Sequence, residues 1–266
     1  MKDSAIEWTD HTFNPWIGCT KVSPGCTNCY AEARDQRFAN GVHWGKGAPR
    51  QRTSAGNWRQ PRQWNDIAKR THRSRVFCAS LADWLDDEVP IEWLVDLMQL
   101  IHDTPNLVWL LLTKRPENYF TRTRAALRAA GWPEKDACDA IYKPDNAWIG
   151  VTVEDQKRAD ERIPELLKIP ARVRFLSCEP LLGPLDLSTS EKGDVIAPVD
   201  WIICGGESGP NRRPMDLQWA RSLRDQCRGA CAFFMKQIDK VQPIPDDLMI
   251  REFPYQAKEL KQEGLL

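Results

Sequence analysis

The sequence carries no net charge: 37 lysines and arginines stand against 37 aspartates and glutamates in 266 residues. That balance excludes a protein that coats nucleic acid along its whole surface. Long apolar runs are also missing. The longest, 107–112, is far shorter than the ~20 residues of a membrane-spanning helix. Residues 1–10 are polar with no apolar core, so no secretory signal is read there. No repeat, linker or low-complexity tract interrupts the chain. The expectation is a cytoplasmic protein with no membrane partner, its thiols kept reduced.

What is present suits a folded protein. With 42% hydrophobic and 28% charged residues, the chain can build a sizeable core, which excludes disorder as its main state. Two residue types are in excess, at 12 Trp and 9 Cys. In a reducing compartment, nine cysteines read as metal ligands, catalytic groups or small core residues rather than disulfides.

Seven short apolar runs recur, at 12–17, 75–79, 107–112, 147–153, 172–176, 201–204 and 231–235. Their near-continuous hydrophobicity suits strands buried on both faces of a parallel sheet. Helical patterns separate them. Pro90 opens one, with Ile91, Leu94, Val95, Met98 and Ile101 on its apolar face. Residues 158–167 and 217–227 are similar. This alternation predicts right-handed β-α units. The expected fold class is α/β: one domain over 1–266 forming a partial TIM-type (β/α)6-7 barrel, with an open doubly wound sheet as the alternative. Residues 238–266 read as a C-terminal extension.

One stretch breaks the rhythm. Residues 42–75 hold nine basic side chains (Lys46, Arg50, Arg52, Arg59, Arg62, Lys69, Arg70, Arg73 and Arg75) against one acid, Asp66, a local charge of +8. Trp44, Trp58 and Trp64 lie among them. The segment reads as an insertion after the first β-α unit. Arginine with tryptophan suits phosphate contacts and base stacking on DNA or a nucleotide. A solvated basic loop whose tryptophans plug the barrel edge is the competing reading.

Cys19, Cys26 and Cys29 form C-x6-C-x2-C within the run GCTKVSPGCTNCY. Pro24 and Gly25 turn the chain back, and Gly18 permits an unusual backbone angle. Three thiolates leave one coordination position of a metal centre open, and open positions host chemistry. No second C-x2-C occurs to close a zinc site. A structural Cys3His zinc, with His11 or His43 as fourth ligand, is the alternative. The motif follows the first predicted strand and opens a helix, which in barrels is where active sites sit.

The blocks NPWIGCTKVSPGCTNCYAE, LLTKRPEN, WIGVTVEDQ, FLSCEPLLGPLDL, DWIICGGESGPNRRPM and FFMKQ resemble a family of phage and prophage proteins. That family looks like radical S-adenosylmethionine (SAM) enzymes and is distantly similar to spore photoproduct lyase. The resemblance covers residues 7–237. It departs in two places. The radical-SAM spacing C-x3-C-x2-C is lengthened here, and Ile238-Asp239 stands where the family has Trp-Gly after FFMKQ. The resemblance implies a radical-SAM type of barrel. Cys19, Cys26 and Cys29 would hold a 4Fe–4S cluster, SAM would chelate its fourth iron, and a flavodoxin- or ferredoxin-type donor would supply electrons.

Each predicted strand ends in polar residues: Ser80 and Asp83, then Thr113, Lys114 and Arg115, then Thr152 and Glu154, then Ser177 and Glu179, then Gly205, Gly206 and Glu207, then Lys236 and Gln237. A SAM site needs an acceptor for the methionyl ammonium, a cation for its carboxylate and hydroxyls or acids for the ribose. By the resemblance, Asn28 and Tyr30 lie against adenine, and Thr152 and Glu154 reach the ribose or methionyl end. Ser80, Asp83, Thr113, Lys114, Ser177 and Glu179 complete the expected cofactor set. Arg115, Gly205, Gly206, Glu207 and Lys236 are the expected substrate contacts, the glycines allowing a ligand close to the backbone. Strand-to-helix turns with ordinary capping are the plainer reading of all of these.

Cys78, Cys178 and Cys204 fall late on three strands, where small buried thiols are commoner than a second cluster. Cys227 and Cys231 have no third partner nearby, and Cys138 reads as incidental. Trp109, Trp148 and Trp201 read as core, while Trp16 and Trp84 are placed to stack on a planar ligand. The expected function is a radical-SAM enzyme acting on a nucleic acid or nucleotide, in modification or repair. A peptide or small-metabolite substrate is one alternative. A non-enzymatic zinc-binding barrel that binds a partner is the other.

Overall fold

A computed structural model describes residues 4–131, 142–188 and 198–254. Its strands are β1 (His11–Thr12), β2 (Trp16–Ile17), β3 (Gln51–Arg52), β4 (Ser74–Cys78), β5 (Leu107–Thr113), β6 (Ala147–Thr152), β7 (Arg174–Cys178), β8 (Trp201–Gly205) and β9 (Ala232–Gln237). The helices are α1 (Tyr30–Ala39), α2 (Ala55–Ala68), α3 (Ile91–His102), α4 (Tyr119–Ala129), α5 (Gln156–Lys168) and α6 (Leu217–Cys227). Seven strands form one parallel sheet in the order β1-β4-β5-β6-β7-β8-β9. Each strand is added beside its predecessor, so the sheet curls one way into a half-barrel. The expected α/β partial barrel holds at that level.

Period-2 alternation divides each strand between two cores. On β5, Leu107, Trp109 and Leu111 face the helices, while Val108 and Leu110 face the concave side. The concave core is aromatic: Trp8, Phe77, Trp148, Phe175, Trp201 and Phe234. Trp201 is its hub, with Trp8, Trp148, Phe175, Phe234 and Phe253 rings all within 6.2 Å of it, centroid to centroid. Further along the same face the side chains become small or polar, at Ala79, Thr152, Ser177, Gly205 and Lys236. The sheet is therefore plugged towards its N-terminal end and open towards its C-terminal end.

Two expectations need correction. The run 12–17 is not one strand. Pro15 has no amide to donate, and the chain leaves the main sheet after Thr12. Trp16–Ile17 instead pairs antiparallel with Gln51–Arg52. The segment 42–75 is also more than a loop. It contributes β3 and α2, whose N-cap Ser54 accepts from the Asn57 amide. Trp64 is buried and stacks on His11, and Trp58 meets Phe13 edge-on. Arg50, Arg52, Arg62 and Arg75 form ion pairs with Asp86, Asp96, Asp103 and Asp10. The buried tryptophans fit the edge-plugging reading, and four of the nine basic side chains are answered by acids.

Cys138 lies outside the described residues, as do the last residues of the expected extension, 255–266. The rest of that extension returns along β9: the Met235 amide donates to Ile250 and the Glu252 amide to Phe233. Among the described residues no helix is long and apolar enough to cross a membrane.

Gly150 packs under the Phe175 ring, where an added Cβ would stand 2.4 Å from ring carbons. Gly150→Ala should destabilise the fold by about 1–3 kcal/mol through overpacking. Urea unfolding would show the loss, and a second change, Phe175→Leu, should recover part of it.

Candidate functional site

A cleft of about 1880 Å³ opens at the C-terminal ends of the strands. It continues down the seam between β1 and β9, past Thr12 on one side and Lys236 and Arg251 on the other. Most of the expected site residues line it: Cys19, Cys26, Cys29, Tyr30, Ser80, Asp83, Thr113, Lys114, Arg115, Thr152, Ser177, Glu179 and Lys236. Asn28, Glu154, Gly205, Gly206 and Glu207 do not.

The loop carrying the cysteines crosses this mouth and is tied down at three strand ends. Gly18 begins it with φ +114°, a conformation that favours glycine, and its amide donates to Leu81. The first tie comes from β5. Arg115 donates to the Cys19 sulfur at 3.5 Å and to the Thr20 carbonyl at 2.8 Å. Asp83 holds Arg115 at 3.1 Å, and itself accepts from the Thr113 hydroxyl and the Lys114 amide. The second comes from beyond β6, where buried Glu154 accepts from the Gly25 amide and pairs with Arg162 at 2.7 Å. The third comes from beyond β8. Glu207 accepts from Asn28 at 2.8 Å and pairs with Arg213, whose guanidinium also reaches the Pro24 carbonyl.

These ties revise several expected roles. Asn28 lies off the cleft lining, and its amide donates to Glu207 and to the Asn211 carbonyl. Glu154 has both oxygens engaged and is fully buried, so it is an anchor rather than a ribose contact. Arg115 lines the cleft but spends its guanidinium on Asp83, Cys19 and Thr20. Gly206 admits a neighbouring part of the chain, not a ligand: a Cβ there would stand 2.1 Å from the Ile238 carbonyl oxygen. Gly205 likewise lies against Glu179 and Gln237. Trp16 and Trp84 are fully buried, beside Trp93 and Tyr119, and offer no face to a ligand. The sequence reading missed Arg162 and Arg213. Each is an arginine eight or six residues past a strand-end glutamate, a spacing with no meaning until the chain has turned back.

Other groups remain open to the cleft. Tyr30 is exposed, with its hydroxyl donating to the Ser80 carbonyl. Lys236 pairs with Glu179 at 2.6 Å, and the Ser177 hydroxyl reaches the other Glu179 oxygen. The eight described cysteines are free. Burial pushes the Cys19 thiol up to about 11, only partly offset by Arg115, and burial raises Cys29 as well. Among the described residues no three His, Cys, Asp or Glu side chains converge on a single metal-ion position. The His43 ring engages Asp35, and His11 lies on Trp64. Cys78, Cys178 and Cys204 sit fully buried in the core beneath the helices.

Comparison with protein-family models matches residues 3–261 to one family, described as a protein of unknown function (DUF5131). No curated protein and no solved structure matches the chain.

Burial works against the Glu207 carboxylate, but hydrogen bonds from Arg213 and Asn28 outweigh it and hold its carboxyl below the usual range. Its stabilising effect is therefore present above the unfolded-state value, about 4.3, and is lost as pH falls through the lower folded value. Comparing Glu207→Gln with wild type, amide exchange over 24–29 should differ at neutral pH and converge in acid.

Proposed function

The chain belongs to this family of proteins of unknown function, DUF5131, and from the site itself we propose that it is a radical-SAM enzyme. One observation carries the reading. Three free cysteines of a single eleven-residue loop line the cleft at the C-terminal mouth of a parallel half-barrel, and three strand ends hold that loop in place.

Three thiolates that leave one coordination position open are a donor set a 4Fe–4S cluster can use. Around one tetrahedral metal, thiolates at ~2.3 Å from the ion must crowd together. A cubane takes each thiolate on a different iron, so its ligands stand farther apart. The engagement of His43 by Asp35, and the packing of His11 on Trp64, weigh against a Cys3His zinc. Cys19, Cys26 and Cys29 would hold the cluster. When bound, it supplies the single electron that cleaves SAM to a 5′-deoxyadenosyl radical able to abstract hydrogen from substrate, with the electron drawn from a flavodoxin- or ferredoxin-type donor.

The chain's own groups have separable tasks. Arg115 hydrogen-bonds the Cys19 sulfur and fixes its direction. Cys19 must give up its proton to bind metal, against the burial that favours the thiol. Glu179 offers an acceptor for the methionyl ammonium and Lys114 a cation for the methionyl carboxylate. Thr152 and Ser177 present hydroxyls on the same cleft wall for the ribose. The aromatic plug below keeps bulk water from the floor.

Anaerobic reconstitution should load about four irons with matching sulfide, giving a brown protein. Cys26→Ala should abolish that loading, and wild type with SAM and dithionite should release 5′-deoxyadenosine. One tightly held zinc with no iron would overturn the proposal in favour of a zinc-binding barrel.

A further inference from the structure

We propose that the α1 wall of the cleft is a binding surface for single-stranded nucleic acid, with Phe38 as a stacking platform and Arg34, Arg37 and Lys240 as phosphate contacts. The surface stands on its own geometry. That the bound strand is also the substrate rests on the enzyme reading above.

Tyr30, Arg34, Arg37 and Phe38 are spaced i, i+4, i+7 and i+8 along α1, so they share one face. All four line the cleft that holds the cysteines. Asp35 turns inward instead. Phe38 is 69% exposed and Tyr30 57%, large values for aromatic side chains in a fold that buries Trp201 and Phe175 completely. A single exposed apolar residue needs no explanation. Phe38 differs because the guanidinium carbons of both Arg34 and Arg37 stand 5.3 Å from its ring centroid. An exposed ring flanked by two cations offers a base a π-face and offers its phosphates charge.

The charge around this face is unbalanced. Lys114 and Lys240 also line the cleft. Among the described residues no acid pairs with Arg34, Arg37, Lys114 or Lys240. The acids of α1 are engaged elsewhere, Glu32 by Lys21 and Asp35 by His43. The contrast is with 42–75, where four of the nine cations are paired with acids and the other five, Lys46, Arg59, Lys69, Arg70 and Arg73, do not line the cleft.

Size points the same way. Small-molecule pockets occupy roughly 300–1,000 Å³, and this cleft has about 1880 Å³. Phe38 lies nine residues past Cys29, roughly 13 Å along the helix at its 1.5 Å rise. Bases stacked at about 3.4 Å each would cover that distance with about four nucleotides. A strand resting on Phe38 therefore reaches the cysteine loop.

The test is fluorescence anisotropy of a labelled oligothymidylate with the full chain, titrated at several salt concentrations. Binding should weaken with salt. Arg34→Ala and Arg37→Ala should each lower the slope of log affinity against log salt by about 0.7. Phe38→Ala should weaken binding about tenfold and leave the slope unchanged. Arg59→Ala and Arg70→Ala, in 42–75, should bind as wild type. All these side chains are on the surface, and thermal unfolding checks that each variant is folded. No anisotropy change in wild type, wild-type binding by Phe38→Ala, or loss in the 42–75 variants instead would overturn the proposal. So would equal competition by polyglutamate, which indicates an acidic-protein site. Iron content of the same preparations separates the two proposals. Oligonucleotide binding without a cluster overturns only the enzyme, and a cluster without binding overturns only this surface.

Discussion

The contact between Asp83 and Arg115 is the constraint on which the mouth of the half-barrel depends. Asp83 accepts from the Leu85 and Lys114 amides, the Thr113 hydroxyl and the Arg115 guanidinium, so both carboxylate oxygens are satisfied. Arg115 passes the connection on to Cys19 and Thr20. A pair this buried gains little net stability, since desolvation offsets its attraction. What it provides is position. An alternative placement of the loop would leave a charge buried without a partner, which is strongly unfavourable. The ties at Glu154–Arg162 and Glu207–Arg213 work by the same rule at the loop's middle and far end. Three charge pairs thus locate a segment that has little apolar surface of its own to bury.

The order of strands and helices was legible because the physics is local. Short continuous apolar runs bounded by turn residues, such as 107–112, suit strands with both faces covered, and α6 was read at its observed ends. The break in 12–17 had a signal, Pro15 inside the run, which the apolar Phe13, Trp16 and Ile17 around it masked. α2 was hidden for another reason. Its face is made of tryptophans scattered among arginines, with Pro61 inside the helix, so composition spoke louder than periodicity.

At the site, sequence located the ends of the strands and therefore the cleft lining. It did not locate partners. Glu154 and Arg115 looked like ligand contacts because charged residues at barrel mouths often are. Their engagement by Gly25, Arg162, Asp83 and Cys19 depends on side chains from distant segments arriving at one place. The basic tract taught the same lesson in reverse. A local charge of +8 measures electrostatic potential only if the charges are unanswered, and Asp10, Asp86, Asp96 and Asp103 answer four of them from other parts of the chain.

A barrel that does not close has two edges, and exposed strand edges invite pairing with other chains. Here one edge is β1, only two residues long, too short to template a partner strand. The other is β9, and the segment 250–252 already pairs with it antiparallel through Arg251 opposite Phe234. The seam between them is thereby protected from intermolecular strand addition while the cleft along it stays open. The return of the chain along β9 thus acts as a guard against self-association, and trimming it back would expose an adhesive edge beside the cleft.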